Sequence, residues 1–414
     1  SLFSTVLDVG GNIDIDGTLT LWRGTIQCGG NWDDTDGTFT HNIFGTVNFD
    51  GTGTHTINCK AGNDFRIVTI DAGIYSALSN IIVDFSIDIK NGASYDPGGF
   101  TTQVLSGATA NIISGGTLNF SDANGIFDAI DVFDADDGAN ITFAANGRLK
   151  LAGASPRLGR TNGAEFTSSE GTVEYDLSGG GSAQTIYDIP YFNLVINGTD
   201  VNDIKTANFN LDIDGTLTIT NGNLTLNNID LDLEGDFSMA AAGAFDAGTS
   251  TTHTVGGSWT DMSGSTFTPN NGKFTFESVA GNTTITTNNS FYDLSVQNTT
   301  GDTVSAAATL TVDNDFTMTA SNTGIFSAAA ALNISGDFTM LAGNEGNFST
   351  NNIVTVTGAT NIDADTLEIA AIPGVFDANG NFDATGAWVI FTGNGTLKLG
   401  AVSYTHLRAH ETRG

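Results

Sequence analysis

Positive charge is scarce in this chain of 414 residues, which has 13 Lys and Arg against 46 Asp and Glu. The formal net charge of −33 disfavours nucleic acid as a partner, because phosphate backbones need a basic face. It equally disfavours electrostatic docking on anionic lipid. The charge is typical of a soluble surface that resists aggregation. We therefore expect no nucleic-acid binding.

Long apolar runs, proline and cysteine are also rare. No run reaches the roughly 18 apolar residues of a membrane span, so we expect no membrane insertion. The two cysteines, Cys28 and Cys59, each end a Thr-Ile-x-Cys phrase, which indicates the same inward position on neighbouring coils of a repeat. Two alternatives stay open for them: a disulfide in an oxidising compartment or two buried thiols that pack as small apolar groups.

A 22-residue repeat is the clearest pattern that is present. Fixed periods of 20–50 residues mark stacked repeat architectures, and apolar alternation within each repeat indicates strands. The pattern predicts an all-β fold, a right-handed parallel β-helix (β-solenoid) with coils of about 20–22 residues. Equivalent residues should then stack inside the solenoid. These stacks are predicted to be Leu310, Leu332 and Val354, and Val312, Ile334 and Val356.

The domain organisation follows from this repeat. Residues 1–400 are predicted to form a single continuous solenoid, in which residues 73–163 are less regular and hold longer coils or side loops. A longer repeating segment, or cassette, is superimposed on the 22-residue repeat, because Gly171–Tyr175 has the same pattern as Gly272–Phe276. A recurring G-x-F-[DS]-[AT] motif predicts an internal ladder of phenylalanines. Its members are Phe127, Phe245, Phe326, Phe348, Phe376 and Phe382.

The cassette G-x-[VF]-x-[FY], followed by L-x-[IV]-x-G-x-[LF]-x-[IM], resembles repeats of very large secreted bacterial surface proteins of the filamentous-haemagglutinin and autotransporter-adhesin type. The resemblance covers nearly the whole chain but consists of structural positions, so it carries no functional residue across. It implies a parallel β-helix that is secreted and displayed at the cell surface. Its function would be that of a structural or adhesive stalk, with host or matrix glycans or other surface proteins as partners.

The last residues differ from everything before them. Val402–Thr412 resembles the in-frame translation of a transposon-type sequencing adapter. We therefore expect residues 401–414 to be a non-native tail without strand pairing, as in a metagenomic fragment. The first residue, Ser1, suggests a cut at the other end as well. Because the end coils of a cut solenoid expose unpaired backbone groups, we expect end-to-end self-association of the fragment.

Enzymatic function is the main alternative, since parallel β-helices include polysaccharide lyases and hydrolases. The paired acids Asp33-Asp34 and Asp136-Asp137 lack the neighbouring basic motifs of those enzymes. The densest basic group is more typical of a solvated turn than of an anion site. We expect no catalysis. That basic group consists of Arg148, Lys150, Arg157 and Arg160.

Calcium is the one cofactor that the sequence suggests, because carboxylates are hard oxygen ligands. A calcium-stiffened matrix protein is therefore the third functional alternative. The nonapeptide G-G-x-G-x-D repeat and the EF-hand spacing are both missing. Asp33, Asp34 and Asp36 are weaker candidates than one later cluster. The predicted metal ligands in that cluster are Asp128, Asp131, Asp134, Asp136 and Asp137.

Histidine and tryptophan are few enough to be considered singly. His41, His55 and His253 stand among Thr and Asn residues, which suggests surface or packing roles rather than catalysis. Trp259 and Trp388 occupy apolar positions of the strand pattern. We predict both in the core rather than as faces on which sugars stack.

Overall fold

The computed structural model describes residues 2–158, 166–168, 170–249, 252–278, 281–298, 301–319, 323–343, 346–363, 366–370 and 374–400. Across these ranges the chain forms strands and no helix. It divides into two compact units, residues 1–206 and 207–414. The strands pair in parallel with those of the coil before and after, so the predicted β-solenoid is confirmed, with about 17 coils. No helix in the described ranges could cross a membrane.

The strands as far as Ala207 belong to three sheets. They are β1 (Leu2–Val9), β2 (Ile13–Asp14), β3 (Thr18–Cys28), β4 (Trp32–Asp33), β5 (Thr38–Phe49), β6 (Thr54–Asn58), β7 (Phe65–Ile70), β8 (Ile74–Ala77), β9 (Ile81–Ile89), β10 (Ser94–Asp96), β11 (Thr101–Val104), β12 (Thr109–Ile112), β13 (Thr117–Phe120), β14 (Ile126–Ala129), β15 (Val132–Ala135), β16 (Asn140–Phe143), β17 (Arg148–Leu151), β18 (Arg157–Leu158), β19 (Phe166–Ser168), β20 (Thr172–Tyr175), β21 (Ala183–Thr185), β22 (Asn193–Ile196) and β23 (Ile204–Ala207).

The long strands of the first unit bend through β-bulges at one corner. Leu21 on β3 pairs with His41 on β5, and Arg23 pairs with Phe44. One residue of β3 therefore lies opposite two residues of β5 between these pairs. The same mismatch occurs between Phe65–Ile67 on β7 and Val83–Ser86 on β9. Further on, β9 pairs separately with β11 and β12, so two strands joined by a loop replace one bulged strand. We call the part of the surface formed by these bulges the bulged corner.

In the second unit each coil contains three strands, one on each of three faces. These strands are β24 (Leu211–Ile213), β25 (Leu217–Ile219), β26 (Gly222–Leu226), β27 (Leu231–Leu233), β28 (Phe237–Met239), β29 (Gly243–Asp246), β30 (His253–Val255), β31 (Trp259–Asp261), β32 (Thr266–Thr268), β33 (Lys273–Phe276), β34 (Thr283–Thr286), β35 (Ser290–Phe291), β36 (Asp293–Val296), β37 (Thr303–Ala306), β38 (Leu310–Val312), β39 (Phe316–Met318), β40 (Ile325–Ala328), β41 (Leu332–Ile334), β42 (Phe338–Met340), β43 (Asn347–Thr350), β44 (Ile353–Val356), β45 (Thr360–Ile362), β46 (Thr366–Ile369), β47 (Val375–Ala378), β48 (Phe382–Asp383), β49 (Trp388–Phe391) and β50 (Thr396–Leu399).

The predicted inward stacks are confirmed. Leu310 pairs with Leu332, which in turn pairs with Val354. The second stack follows the same register two residues later, and all six side chains are buried. Their burial in register contributes to the apolar stabilisation of the second unit. The second stack consists of Val312, Ile334 and Val356.

The predicted phenylalanine ladder forms only in part. Phe326 and Phe348 are paired neighbours whose rings stack with centroids 5.5 Å apart. Phe376 lies on a different face, where it pairs with Val354. Its ring meets that of Phe348 edge-on across the interior, at 6.1 Å. The shared motif therefore occurs on more than one face of the coil.

Trp388 is not a core residue, so that part of the prediction is wrong. Its side chain is 62% exposed. It pairs with the outward residue Thr366, while its neighbour Val389 pairs with the buried Leu367. Trp259 is fully buried, as predicted.

The cysteines do not share one position. Cys28 pairs with Val9 and Phe49 on the sheet of the long strands, whereas Cys59 follows β6 on a different sheet. Both are free, buried thiols, so the packing alternative holds and the shared inward position is wrong. Burial raises the pKa of the Cys28 thiol and, more strongly, that of the Cys59 thiol.

Three predictions about organisation are not decided by these observations. The tail, residues 401–414, lies outside the described residues. The single solenoid over residues 1–400 and the longer coils over residues 73–163 stay predictions. Parallel pairing does continue through the latter stretch, for example from Thr109 to Val132.

Candidate functional site

The bulged corner brings together ionisable groups from three consecutive coils. His41 lies on β5, Asp64 immediately precedes β7, and Asp84 lies on β9. The Nε2 atom of His41 is 3.1 Å from Oδ1 of Asp64 and 3.5 Å from Oδ2 of Asp84. One nitrogen and two carboxylate oxygens thus lie within 4.8 Å of one another. We call these three residues the His41 cluster.

The imidazole of His41 is buried, whereas the two carboxylates reach solvent. Its side chain is 10% exposed, against 38% for Asp64 and 23% for Asp84. The Nε2 atom is buried and has no hydrogen-bond partner. Burial, with repulsion from Asp64, raises the pKa of Asp84.

Two arginines lie over exposed aromatic rings at the same corner. The guanidinium of Arg66 is 4.7 Å from the ring centroid of Phe85, and that of Arg23 is 4.9 Å from the ring centroid of Phe44. Both rings, and the neighbouring Trp22, are about half exposed. The bulged corner therefore combines three groups that could ligate a metal ion with an outward aromatic surface.

Sequence reasoning missed this cluster. It assigned His41 a surface or packing role and did not select Asp64 or Asp84. The three residues are 23 and 20 positions apart, and each interval is close to one coil. That spacing is the one signal that could have found them. It is weak, because the bulges that turn the side chains toward one another depend on strand pairing and not on local pattern.

The aspartates predicted as calcium ligands have separate partners. Asp128 on β14 lies 3.9 Å from the Nζ atom of Lys150, and Asp134 on β15 is 2.9 Å from Arg157. Asp131 accepts the backbone N–H of Gly107. In the described ranges, none of the predicted ligands belongs to a group of the kind that His41 forms, so calcium here stays a prediction. These ligands are Asp128, Asp131, Asp134, Asp136 and Asp137.

The predicted basic group lies on strands and not in a solvated turn. Lys150 on β17 is in register between Asp128 and Glu174, and its Nζ atom is 2.8 Å from Oδ2 of Asp176. Arg148 forms a 2.7 Å ion pair with the buried Glu174. We call these five residues the Lys150 ladder. The solvated-turn prediction is therefore wrong for Arg148 and Lys150, and Arg160 lies outside the described residues.

The charge state of the Lys150 ladder bears on its chemistry. Burial alone lowers the pKa of Lys150, but the hydrogen bond to Asp176 and the three neighbouring carboxylates outweigh it and raise the pKa. Burial raises the pKa of Asp176 despite the bond to Lys150. A lysine that stays protonated above its ordinary range is unsuited to act as a general base at neutral pH.

In each unit a buried carboxylate accepts a hydrogen bond from a tryptophan side chain. The indole N–H of Trp32 donates to Asp34 at 3.2 Å, and that of Trp259 donates to Asp261 at 3.0 Å. Both carboxylates are almost fully buried. Asp34, one of the weaker calcium candidates, also accepts the backbone N–H of Lys60. Its oxygens thus serve the fold through hydrogen bonds.

No family model, no curated protein and no solved structure matches this chain. The fold alone does not decide the function, because one architecture carries many unrelated activities. A function must therefore be argued from local geometry and charge.

Proposed function

We propose that this chain is a structural and adhesive stalk segment of a large extracellular bacterial surface protein, and that it performs no catalysis. The observation that carries the proposal is the regular parallel pairing from coil to coil within each unit. Backbone hydrogen bonds along the coils and an apolar interior resist bending and stretching. This is the property that a spacer at a cell surface requires.

Outward side chains support the same function. Polar residues on successive coils bond to one another, as Asn314 does with Asp293 at 2.9 Å and Asn111 with Asp88 at 2.6 Å. Carboxylates are thus held mainly by neutral donors in a chain that has few cations. The remaining negative charge keeps neighbouring molecules apart in solution.

The Lys150 ladder supports the absence of catalysis. A polysaccharide lyase needs a base, but the raised pKa of Lys150 keeps this group protonated. Arg148 is engaged with Glu174. The ladder therefore serves to balance buried charge between coils, and incubation with acidic polysaccharides should release neither unsaturated nor reducing sugars.

For adhesion we propose a glycan partner at the bulged corner. Arg23 and Arg66 lie over Phe44 and Phe85, so a sugar ring would contact the parts of these rings, and of Trp22, that stay exposed. Aromatic residues are characteristic of recognition surfaces.

Binding of the full chain to a glycan array tests this proposal. The double variant Trp22→Ser/Phe44→Ser should lose glycan binding, because it removes two of the exposed rings. Trp388→Ser, which removes an exposed ring elsewhere, should keep it. Equal binding by both variants, binding only to surface proteins, or sugar release would contradict the proposal.

A further inference from the structure

We infer that the His41 cluster binds one divalent transition-metal cation of the Zn²⁺ class and thereby joins three consecutive coils of the first unit. The inference stands on the geometry of His41, Asp64 and Asp84 and does not depend on the stalk function. A stalk, an enzyme or a matrix protein could each contain such a site.

The spacing of the ligand atoms fits a single ion. Zinc bonds of about 2.0–2.2 Å to imidazole nitrogen and carboxylate oxygen place tetrahedral ligand atoms roughly 3.4 Å apart. The distances of 3.1 Å and 3.5 Å from Nε2 of His41 to the oxygens of Asp64 and Asp84 lie on either side of that value. The two carboxylate oxygens lie within 4.8 Å of each other, so one ion can contact all three atoms after small side-chain adjustments.

The unpartnered nitrogen of His41 is the second, independent observation. Buried polar atoms almost always have a hydrogen-bond partner, yet Nε2 of His41 is buried and has none. Coordination to a metal would satisfy this atom. An ion pair with Asp64, whose Oδ1 is 3.1 Å away, forms only if His41 is protonated, and no hydrogen bond joins the two groups.

The chemistry of the ligands selects the class of cation. Calcium and magnesium prefer oxygen-only ligand sets, whereas imidazole suits zinc, copper, iron and nickel. Two carboxylates disfavour copper(I), which prefers soft sulfur ligands. The exposure of Asp64 and Asp84 gives an ion access and leaves further positions for water. The cation inferred at the His41 cluster therefore differs from the calcium predicted at Asp128–Asp137.

The location explains what the ion would do. The bulges interrupt regular pairing at this corner, and the ligands come from three coils in succession. A cation held by His41, Asp64 and Asp84 would join these coils where backbone pairing is irregular. Since it binds the folded form only, it should raise the melting temperature of the chain.

Calorimetric titration of the metal-stripped full chain with ZnCl₂, and separately with CaCl₂, tests the inference. His41→Gln and the nearly isosteric Asp84→Asn should each weaken one zinc site at least tenfold. The matched control is His55→Gln, because Nε2 of His55 is also buried without a hydrogen-bond partner but no carboxylate lies within ion-pair distance in the described part of the chain. His406 and His410 remain in every protein, so the differences report the His41 cluster.

Melting in the presence of zinc is the second readout. At equal zinc concentration, the rise in melting temperature should be the same for the wild type and His55→Gln and clearly smaller for the other two variants. Circular dichroism would verify the strand content of each protein. Unchanged zinc affinity in folded Asp84→Asn, or equal affinity of the cluster for calcium, would overturn the inference.

Discussion

At the scale of single residues, His253 contrasts with His41. It is fully buried in the second unit and stacks on Phe274 with centroids 4.5 Å apart. Its Nδ1 atom accepts the backbone N–H of Leu231 at 3.2 Å. Burial lowers the pKa of His253 from 6.5 to about 4, opposed by the charge of Asp230. His253 is therefore a neutral core side chain, which is a packing role.

Acid should destabilise the protein through His253. Below about pH 6.5 the unfolded chain binds a proton that the folded protein does not take up until about pH 4, so stability falls as the pH decreases through this window. The loss should approach about 3 kcal/mol. His253→Asn keeps an acceptor for Leu231 but does not titrate. Its free energy of unfolding, measured by urea denaturation at pH 7 and pH 4.5, should change less than that of the wild type. An equal change in both proteins would contradict this assignment.

A second residue-scale prediction concerns two buried tyrosines. The hydroxyls of Tyr175 and Tyr191 are 2.8 Å apart, and the Tyr175 hydroxyl accepts the backbone N–H of Tyr187 at 2.9 Å. Tyr175→Phe leaves that N–H without its acceptor and should reduce the free energy of unfolding by about 1–3 kcal/mol. Tyr187→Phe keeps this backbone bond and should cost roughly 0.5 kcal/mol or less. Denaturant melts of the two variants compare these values, and similar losses would refute the role of the tyrosine pair.

At the scale of strands, prediction succeeded where the pattern is local. Alternation of Leu332 and Ile334 identifies an inward face without knowledge of any partner. The prediction failed at Trp388, because residues 388–391 are all apolar and the pattern does not show which two of them point inward. It failed at Cys59, because the same phrase occurs on two faces of the coil. The approach of His41 to Asp64 depends on bulges, which no local pattern shows.

The Lys150 ladder gives a prediction at this scale. Lys150→Met leaves Asp128, Glu174 and Asp176 without their shared cation in a mostly buried setting. Breaking a buried pair typically costs 3–5 kcal/mol, and the 26% exposure of Lys150 reduces our expectation to about 2–3 kcal/mol.

The control for the Lys150 ladder is a lysine at an exposed ion pair. Lys398 is 58% exposed and lies 3.6 Å from Asp377, so Lys398→Met should cost about 1 kcal/mol or less. Urea denaturation at matched salt measures both variants. Losses of the same size would show that the ladder contributes no more than a surface pair.

At the scale of the whole molecule, fold class was predictable because a 22-residue period repeats over many coils. Each coil repeats the same inward and outward positions, so a wrong assignment at a single residue does not change the predicted fold class. The candidate site has no such redundancy. It consists of three residues, His41, Asp64 and Asp84, each of which occurs once.

The tail gives the prediction at this scale. Because residues 402–414 resemble a translated adapter, they should contribute nothing to folding. Deleting them should leave the melting temperature unchanged in differential scanning calorimetry. A clear fall in the melting temperature of the shortened chain would show that these residues pack against the fold.

The register of the second unit also limits how its length can change. Leu294 pairs with Phe316, and Phe316 with Phe338, so the loss of 22 residues between them would place Phe338 opposite Leu294 with every side chain still facing correctly. A loss of 21 residues would instead turn the inward residues of that strand toward water. Viable insertions and deletions should therefore come in whole coils. Such a gene can lengthen or shorten its product in steps, through recombination between its own repeats.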